Sequence, residues 1–398
     1  MNVEPYTPSR PERLREVLVP SFFLLITMLN LTLIVAGLKE LIIDELGGTE
    51  RDASLFFSIE MAAYVVFAPL WGLLSDRLGR RKPLIVIGFF VSALLYASYS
   101  AVTSVGLLLV LRFVQGAFTV MGWSTLMAMV LDRADGQRRG RHLGLMGASL
   151  ILGVSIGAPL GGYMSRSWGA HAPLQAAAVL FLGLAIGSLA MSEGRRHAHQ
   201  ISTREILAAL RSRPRLLLPA LFYFVDRYTV GFIVVLFPLY LASLGVEDPA
   251  VRGQYLGAFL LPFAFLQYFT GRLTERIGTI VPLVGGSLLY GIALCAVGYS
   301  GLGTLWWVMA GLGVLASVMF PPAIVMTAEL SDPATRGSAM GGFNLAGSVG
   351  FAIGPVVGVW AYQTWGYGFA FVLAGVLEIL VAVVAIGLLW RWKTIPGR

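Results

Sequence analysis

Twelve apolar runs, each long enough to cross a bilayer, leave this chain few folds to choose from. They fall near residues 17–38, 53–75, 83–102, 105–131, 142–165, 173–192, 215–243, 253–271, 281–300, 304–328, 338–362 and 368–390. An apolar core ~30 Å thick takes roughly 20 residues of helix to span. Inside it every backbone N–H and C=O has to be satisfied within the protein, which α-helices do by themselves. The expected fold is therefore all-α and integral to the membrane. Only 13% of the residues are charged and 57% are hydrophobic, whereas roughly a quarter are charged in an ordinary globular domain.

The net charge of +8 invites a nucleic-acid partner, but the placement of the charges explains it differently. With the N-terminus on the cytoplasmic side, 23 of the 29 Lys and Arg residues fall in cytoplasmic segments. Lys39, Arg51, Arg166 and Arg252 face the other side, and Arg112 and Arg227 lie within runs. That asymmetry is the positive-inside bias. It predicts both termini in the cytoplasm, a multi-pass protein of the cell (inner) membrane and no nucleic-acid partner. Cys295 is the only cysteine, so no intrachain disulfide is expected. No short apolar segment precedes a cleavage site at the N-terminus, and the first run is read as an uncleaved signal.

Two charged turns show that the chain repeats itself. GLLSDRLGRRKPL, Gly72 to Leu84, is echoed by GRLTERIGTIVPL, Gly271 to Leu283, an offset of half the 398 residues. Gly72, Asp76, Arg77, Gly79 and Pro83 match Gly271, Glu275, Arg276, Gly278 and Pro282. The echo continues from Asp132, Asp135, Arg139 and Gly140 to Glu329, Asp332, Arg336 and Gly337. It runs on through Gly144, Gly153, Gly157, Gly161 and Trp168-Gly169 to Gly341, Gly350, Gly354, Gly358 and Trp365-Gly366. Two pseudo-symmetric six-helix bundles are the natural reading. Their bounds are residues 1–192 and 215–398, joined by a cytoplasmic linker at 193–214 that suits a helix on the membrane surface. Glycines four residues apart make a smooth helix face, expected here to pack at the seam between the halves.

Polar residues inside the runs are the candidate functional groups, because a charge in hydrocarbon is expensive. Asn30 lies near the centre of the first run and is expected to bond another helix. Glu60 is ~10 Å deep at 1.5 Å per residue; it suits a proton or cation site, or a plain vestibule carboxylate. Arg112 and Gln115 stand together in LLLVLRFVQG. Arg112 cannot shed its charge, and Glu60 and the Asn30 amide are its two candidate partners. Asp226 and Arg227 sit near mid-depth among Phe222, Tyr223, Phe224 and Tyr228. Helix neighbours point about 100° apart, so each of the two is expected to seek a different partner. Glu378 is also at mid-depth, without polar neighbours along its own run. Lys39, Glu40, Asp44 and Glu45 read as a solvated rim.

Taken together these segments resemble the major facilitator superfamily over essentially the whole chain, most closely its twelve-span drug and proton antiporter branch. GLLSDRLGRRKPL is similar to the signature loop between spans 2 and 3, and LLLVLRFVQG to the span 4 motif tied to proton transfer. GVSIGAPLGG, Gly153 to Gly162, resembles the antiporter motif of span 5, with Ala158 where the family has proline and Pro159 following. Gly153, Gly157, Pro159, Gly161, Gly162, Gly354 and Pro355 are then helix-packing positions. The resemblance implies a major facilitator fold, a small-molecule substrate, protons as coupling ion and alternating access by a monomer. It also implies a gating latch of Gly72, Asp76, Arg77, Gly79, Arg80 and Asp132. In that latch Asp76 would face the N-terminus of span 11 near Gly337 and Ser338, and Arg77 would pair with Asp132. Proton-coupled efflux of small amphipathic compounds leads; uptake or facilitated transport of a sugar, organic anion or amino acid is the alternative. No paired-His metal signature, phosphate-cradling loop or nucleophile elbow is present, so no enzyme, cofactor or metal is expected.

Overall fold

A computed structural model describes residues 10–133, 139–192, 208, 211–332 and 335–394, and these contain no strand. Helix α1 (Arg10–Leu33) is followed by a 3-10 turn, Val35–Gly37, and a π-helical stretch, Lys39–Glu45. Then come α2 (Glu50–Leu78), α3 (Lys82–Ser98), α4 (Val105–Arg133), α5 (Arg139–Trp168) and α6 (Ala172–Leu189). The second half repeats this order with α7 (Leu217–Ser243), α8 (Pro249–Ile277), α9 (Ile280–Val297) and α10 (Leu302–Glu329). The last stretch, Arg336–Thr394, is interrupted at Gly366, which divides it into α11 (336–365) and α12 (367–394). Every apolar run of the sequence corresponds to one helix, and most of the linker at 193–214 lies outside the described residues.

Local chemistry explains the helix boundaries. Thr49 and Asp52 form a reciprocal capping box that starts α2, satisfying N–H groups left over at the helix end. Asp248 accepts from Ala250 N at the start of α8. Among the described residues all six with positive φ are glycines, and they fall into three pairs related by the internal repeat: Gly47 with Gly245, Gly79 with Gly278, and Gly169 with Gly366. The left-handed region costs a residue with a Cβ but not glycine. The repeat is thus written into backbone geometry at turns where only glycine is comfortable.

The glycine faces pack within each half, correcting the expectation that they form the seam. A Cβ on Gly153 or Gly157 would strike α1 at Leu25 to Leu33, and one on Gly350 or Gly354 would strike α7 at Phe224 to Phe232. Gly161 and Gly358 extend the same two faces against Leu33 and Phe232. The matched glycines thus bring the backbones of α5 and α1 into close approach in the first half, and those of α11 and α7 in the second. Pro355 is buried within α11.

The seam between the halves is built from neighbouring positions. Gly253 and Gly257 of α8 abut Ala158 and Pro159 of α5, and Gly162 abuts Pro249 and Ala250. Ser155 Oγ donates to Leu260 O at 2.8 Å. Across the other side of the seam, Phe57 of α2 meets Phe351 of α11 edge-on with centroids 5.3 Å apart. Tyr362 donates to Glu50 Oε1 at 3.1 Å. Around the outside, Val66, Phe90, Val110, Val179, Ile186 and Phe265 are all exposed. Apolar surface on that scale is untenable in water and natural against lipid.

A bulky side chain at Gly354 has nowhere to go, because its Cβ would meet the backbone of Tyr228 and Phe232. Gly354→Leu is expected to cost about 1–3 kcal/mol through overpacking. Gly183, with nothing near its Cβ position, should tolerate the same change within about 0.5 kcal/mol. Thermal unfolding of the two purified variants in detergent checks this, and equal midpoints would refute the packing account.

Candidate functional site

In the first half the site grows from α4. Arg112 and Gln115 are one helical turn apart, so they share a face, and that face meets α2 and α3. Arg112 Nη2 lies 2.5 Å from Glu60 Oε2, with both side chains fully buried. Of the two candidate partners, the structure places Glu60 here. Nη1 donates to Tyr96 Oη at 2.9 Å and to Gln115 Oε1 at 2.8 Å, and Nε donates to Phe56 O at 3.3 Å. The guanidinium also stacks over the Phe56 ring, 4.2 Å from its centroid.

Glu60 is held as thoroughly as the arginine. Tyr64 and Gln115 Nε2 donate to its Oε1 at 3.0 and 3.1 Å. Gln115 also donates to Thr119, whose hydroxyl lies 2.8 Å from that of Ser92. This polar brace ties α2, α3 and α4 together. Asn30 is not part of it: its Nδ2 donates to Ile26 O of its own helix at 2.9 Å, and its buried Oδ1 has no partner among the described residues. The interhelix bond expected of it is therefore absent from its described contacts.

In the second half Asp226 and Arg227 depart from the expectation that adjacent helix positions do not pair. Arg227 Nη2 and Nε donate to Asp226 Oδ2 at 2.7 and 2.8 Å. The long arginine side chain curls back across the 100° between them and lies over the rings of Tyr223, Phe263 and Phe320, each 5.2–5.3 Å away. Asp226 Oδ1 is buried without a partner among the described residues. It borders a pocket lined by Phe222, Tyr223, Asp226, Leu283, Met319, Phe320 and Ala323, with about 180 Å³ of empty space. Ligand sites run to ~300–1,000 Å³, so the pocket is smaller than a ligand cavity, and all of its lining belongs to the second half. Tyr228 packs against Phe232 instead.

Glu378 does have polar neighbours, supplied by other helices. Thr229 of α7 and Ser287 of α9 place hydroxyl oxygens 3.3 and 3.2 Å from its two carboxylate oxygens. These partners lie 149 and 91 positions away in the chain, and the sequence reading did not find them.

The two ends of the molecule differ. At the basic end, carrying the α2–α3 turn, Arg81 lies 3.6 Å from Asp76 and donates to Ser75 Oγ at 3.2 Å. Lys82 donates to Leu189 O at 2.6 Å, a cation at the C-terminus of α6 where the helix dipole favours it. Arg77 and Arg80 are exposed, Gly72 is buried, and Gly79 caps α2 in the left-handed conformation. The Asp132 side chain lies outside the described residues.

At the opposite end, Arg252 is fully buried although its position in the sequence reads as outward-facing. It crosses from α8 to the first half, donating to Ala36 O from Nε and Nη2 at 3.3 and 3.1 Å and to Glu40. Nη1 donates to Val246 O and Glu247 O at 3.2 and 3.1 Å. Glu40 is thus a cross-half partner and leaves the rim, where Lys39 pairs with Asp44 at 2.7 Å. Arg166 and Asp248, 3.1 Å apart, add a second bridge between the halves.

Two like bundles of membrane-spanning helices, meeting firmly at one end and carrying buried polar groups at mid-depth, define a transporter for a small molecule. The chain belongs to the Major Facilitator Superfamily, whose sequence model matches residues 21–255 and 220–398. It is 27% identical over 348 residues to the class C tetracycline resistance protein of Escherichia coli, covering 81% of this chain and 85% of that one. It is 23% identical to the multidrug resistance protein MdtG of Proteus mirabilis (strain HI4320), covering 88% and 89%. In fold it is similar to a bacterial homolog of the human lysosomal transporter Spinster, with TM-score 0.78, 14% identity and coverage of 95% and 96%.

Removing one member of a buried ion pair strands the other. Arg112→Ala is expected to destabilise the protein by about 3–5 kcal/mol, whereas Arg112→Met with Glu60→Leu should recover most of the loss. Unfolding midpoints of the single and double variants decide it; a double variant no more stable than the single would count against pairing as the cause. Arg252→Ala should free the opposite end to open, raising labelling of a cysteine placed at Ser155, buried in the seam, severalfold over the same cysteine with Arg252 intact, Cys295 being replaced by serine in both. Unchanged labelling would mean that Arg252 does not hold the seam.

Proposed function

We propose that this protein is a secondary active transporter that exports small amphipathic compounds in exchange for protons. The observation that carries the reading is the aromatic pocket wall of α7 and α10 with one unpartnered carboxylate oxygen of Asp226. Such a surface binds an apolar ring by contact and a polar substituent by a hydrogen bond, as ligand cavities commonly do. The names of the relatives, tetracycline resistance protein and multidrug resistance protein, support export of compounds of this kind.

The basic end faces the cytoplasm in this reading, following the positive-inside bias, and both termini lie there in the cell (inner) membrane. The cross-half contacts of Arg252, Arg166, Tyr362, Phe57 and Ser155 run from the middle to the outer end. The conformation is then one closed at the outer end. Rocking of residues 1–192 against 215–398 would break these contacts and close the inner end, where Asp76 meets the N-terminus of α11 and Arg77 meets Asp132. A gradient can drive that exchange only if the proton is bound differently in the two states. One chain contains both halves, so a monomer suffices.

Purified protein in liposomes, tested with a panel of amphipathic compounds under an imposed proton gradient, examines the reading directly. Wild-type protein should accelerate movement of at least one compound when the gradient is present. Asp226→Asn should raise its KM about tenfold, the loss of roughly one hydrogen bond to an ionised group. Transport insensitive to the gradient would refute coupling, and an unchanged KM would remove Asp226 from the binding wall.

A further inference from the structure

Among the described residues three carboxylates are buried at depth, in α2, α7 and α12, and their surroundings differ in kind. Glu60 has Arg112 at 2.5 Å and Asp226 has Arg227 at 2.7 Å. Glu378 is as deeply buried, yet no Lys, Arg or His among the described residues forms an ion pair with it. From α7 it faces Asp226 and Arg227, and from α9 it faces Tyr290. Arg227 is already engaged by Asp226, so an ionised Glu378 would add a net negative charge to a site far from water. Burial of such a charge without compensation is strongly unfavourable, and a group able to neutralise itself does so.

The hydrogen count points the same way. Thr229 Oγ1 has one hydrogen, and its shorter contact is to the backbone O of Asp226 at 2.9 Å, against 3.3 Å to Glu378 Oε1. With that hydrogen spent on Asp226, the Thr229–Glu378 contact is satisfied when the carboxyl group is itself the donor. Ser287 Oγ, 3.2 Å from Oε2, then donates to the carbonyl oxygen of the acid. A neutral carboxyl group thus fits both partners with one donor and one acceptor each way.

We propose that Glu378 is the proton-binding carboxylate of this transporter, neutral in the conformation described and ionised in the other. In the neutral state Oε1–H donates to Thr229 and Oε2 accepts from Ser287. When α7, α9 and α12 shift and water reaches the site, the O–H bond breaks, the proton passes to water and the carboxylate remains. Glu60 and Asp226 keep their arginines and stay ionised throughout. The coupling role rests on the transporter reading above; the protonation state does not.

Glu378→Gln preserves the size and both contacts, with the amide N–H donating to Thr229. Infrared spectra of the purified protein at neutral pH should show a protonated-carboxyl C=O band that Glu378→Gln removes. Ser287→Ala should move that band to higher frequency, since it deletes the donor to the carbonyl. In liposomes Glu378→Gln should retain substrate exchange without a gradient and lose about tenfold or more of gradient-driven transport. A band untouched by both substitutions would overturn the neutral state. Gradient-driven transport within about twofold of wild type would overturn the coupling role. If wild-type protein moves nothing under the gradient, the transporter reading fails, while the band still decides the protonation of Glu378.

Discussion

A charge inside hydrocarbon has no solvent to lean on, and the interior of this protein is organised by how each one is met. Arg112 recruits a carboxylate, an amide, a phenol, a main-chain carbonyl and an aromatic face. Those groups come from α2, α3 and α4, so neutralising one guanidinium fixes the arrangement of three helices. In the second half Arg227 finds its partner on its own helix, and the aromatic rings around it come from α7, α8 and α10. The first half is braced by its ion pair, while the second keeps its pair at a pocket wall.

Glycine geometry supplies the complementary constraint. Close approach of α5 to α1 and of α11 to α7 locks one backbone against another within each half. The seam between the halves uses fewer glycines and more polar bonds, which can exchange with water when they part. The rocking proposed above needs that contrast between lasting contacts inside each body and breakable ones between them.

The helices and the internal repeat were legible in the sequence because they rest on local pattern: apolar run length and an offset of half the chain. Partners across space were less legible. Glu40 reads as a rim residue until Arg252, 212 positions away, is folded against it. Glu378 reads as isolated because Ser287 and Thr229 lie 91 and 149 positions off. The Asp226–Arg227 pairing was missed for a different reason: helical spacing fixes where Cβ points, but a long arginine side chain is free to turn back. The glycine faces were recognised as packing surfaces, yet one-dimensional spacing does not say which helix they meet.

The break after α1 has a consequence for how the outer seam tolerates change. Arg252 donates twice to Ala36 O, within the stretch where regular α-helix gives way to 3-10 and π geometry. A main-chain oxygen is supplied by whatever residue occupies position 36, so no ordinary point mutation there deletes the acceptor. Drift in the side chains around it can retune the strength of the closure through Glu40 while the bond to the backbone persists. The closure thus has one adjustable contact and one that heredity cannot easily erase.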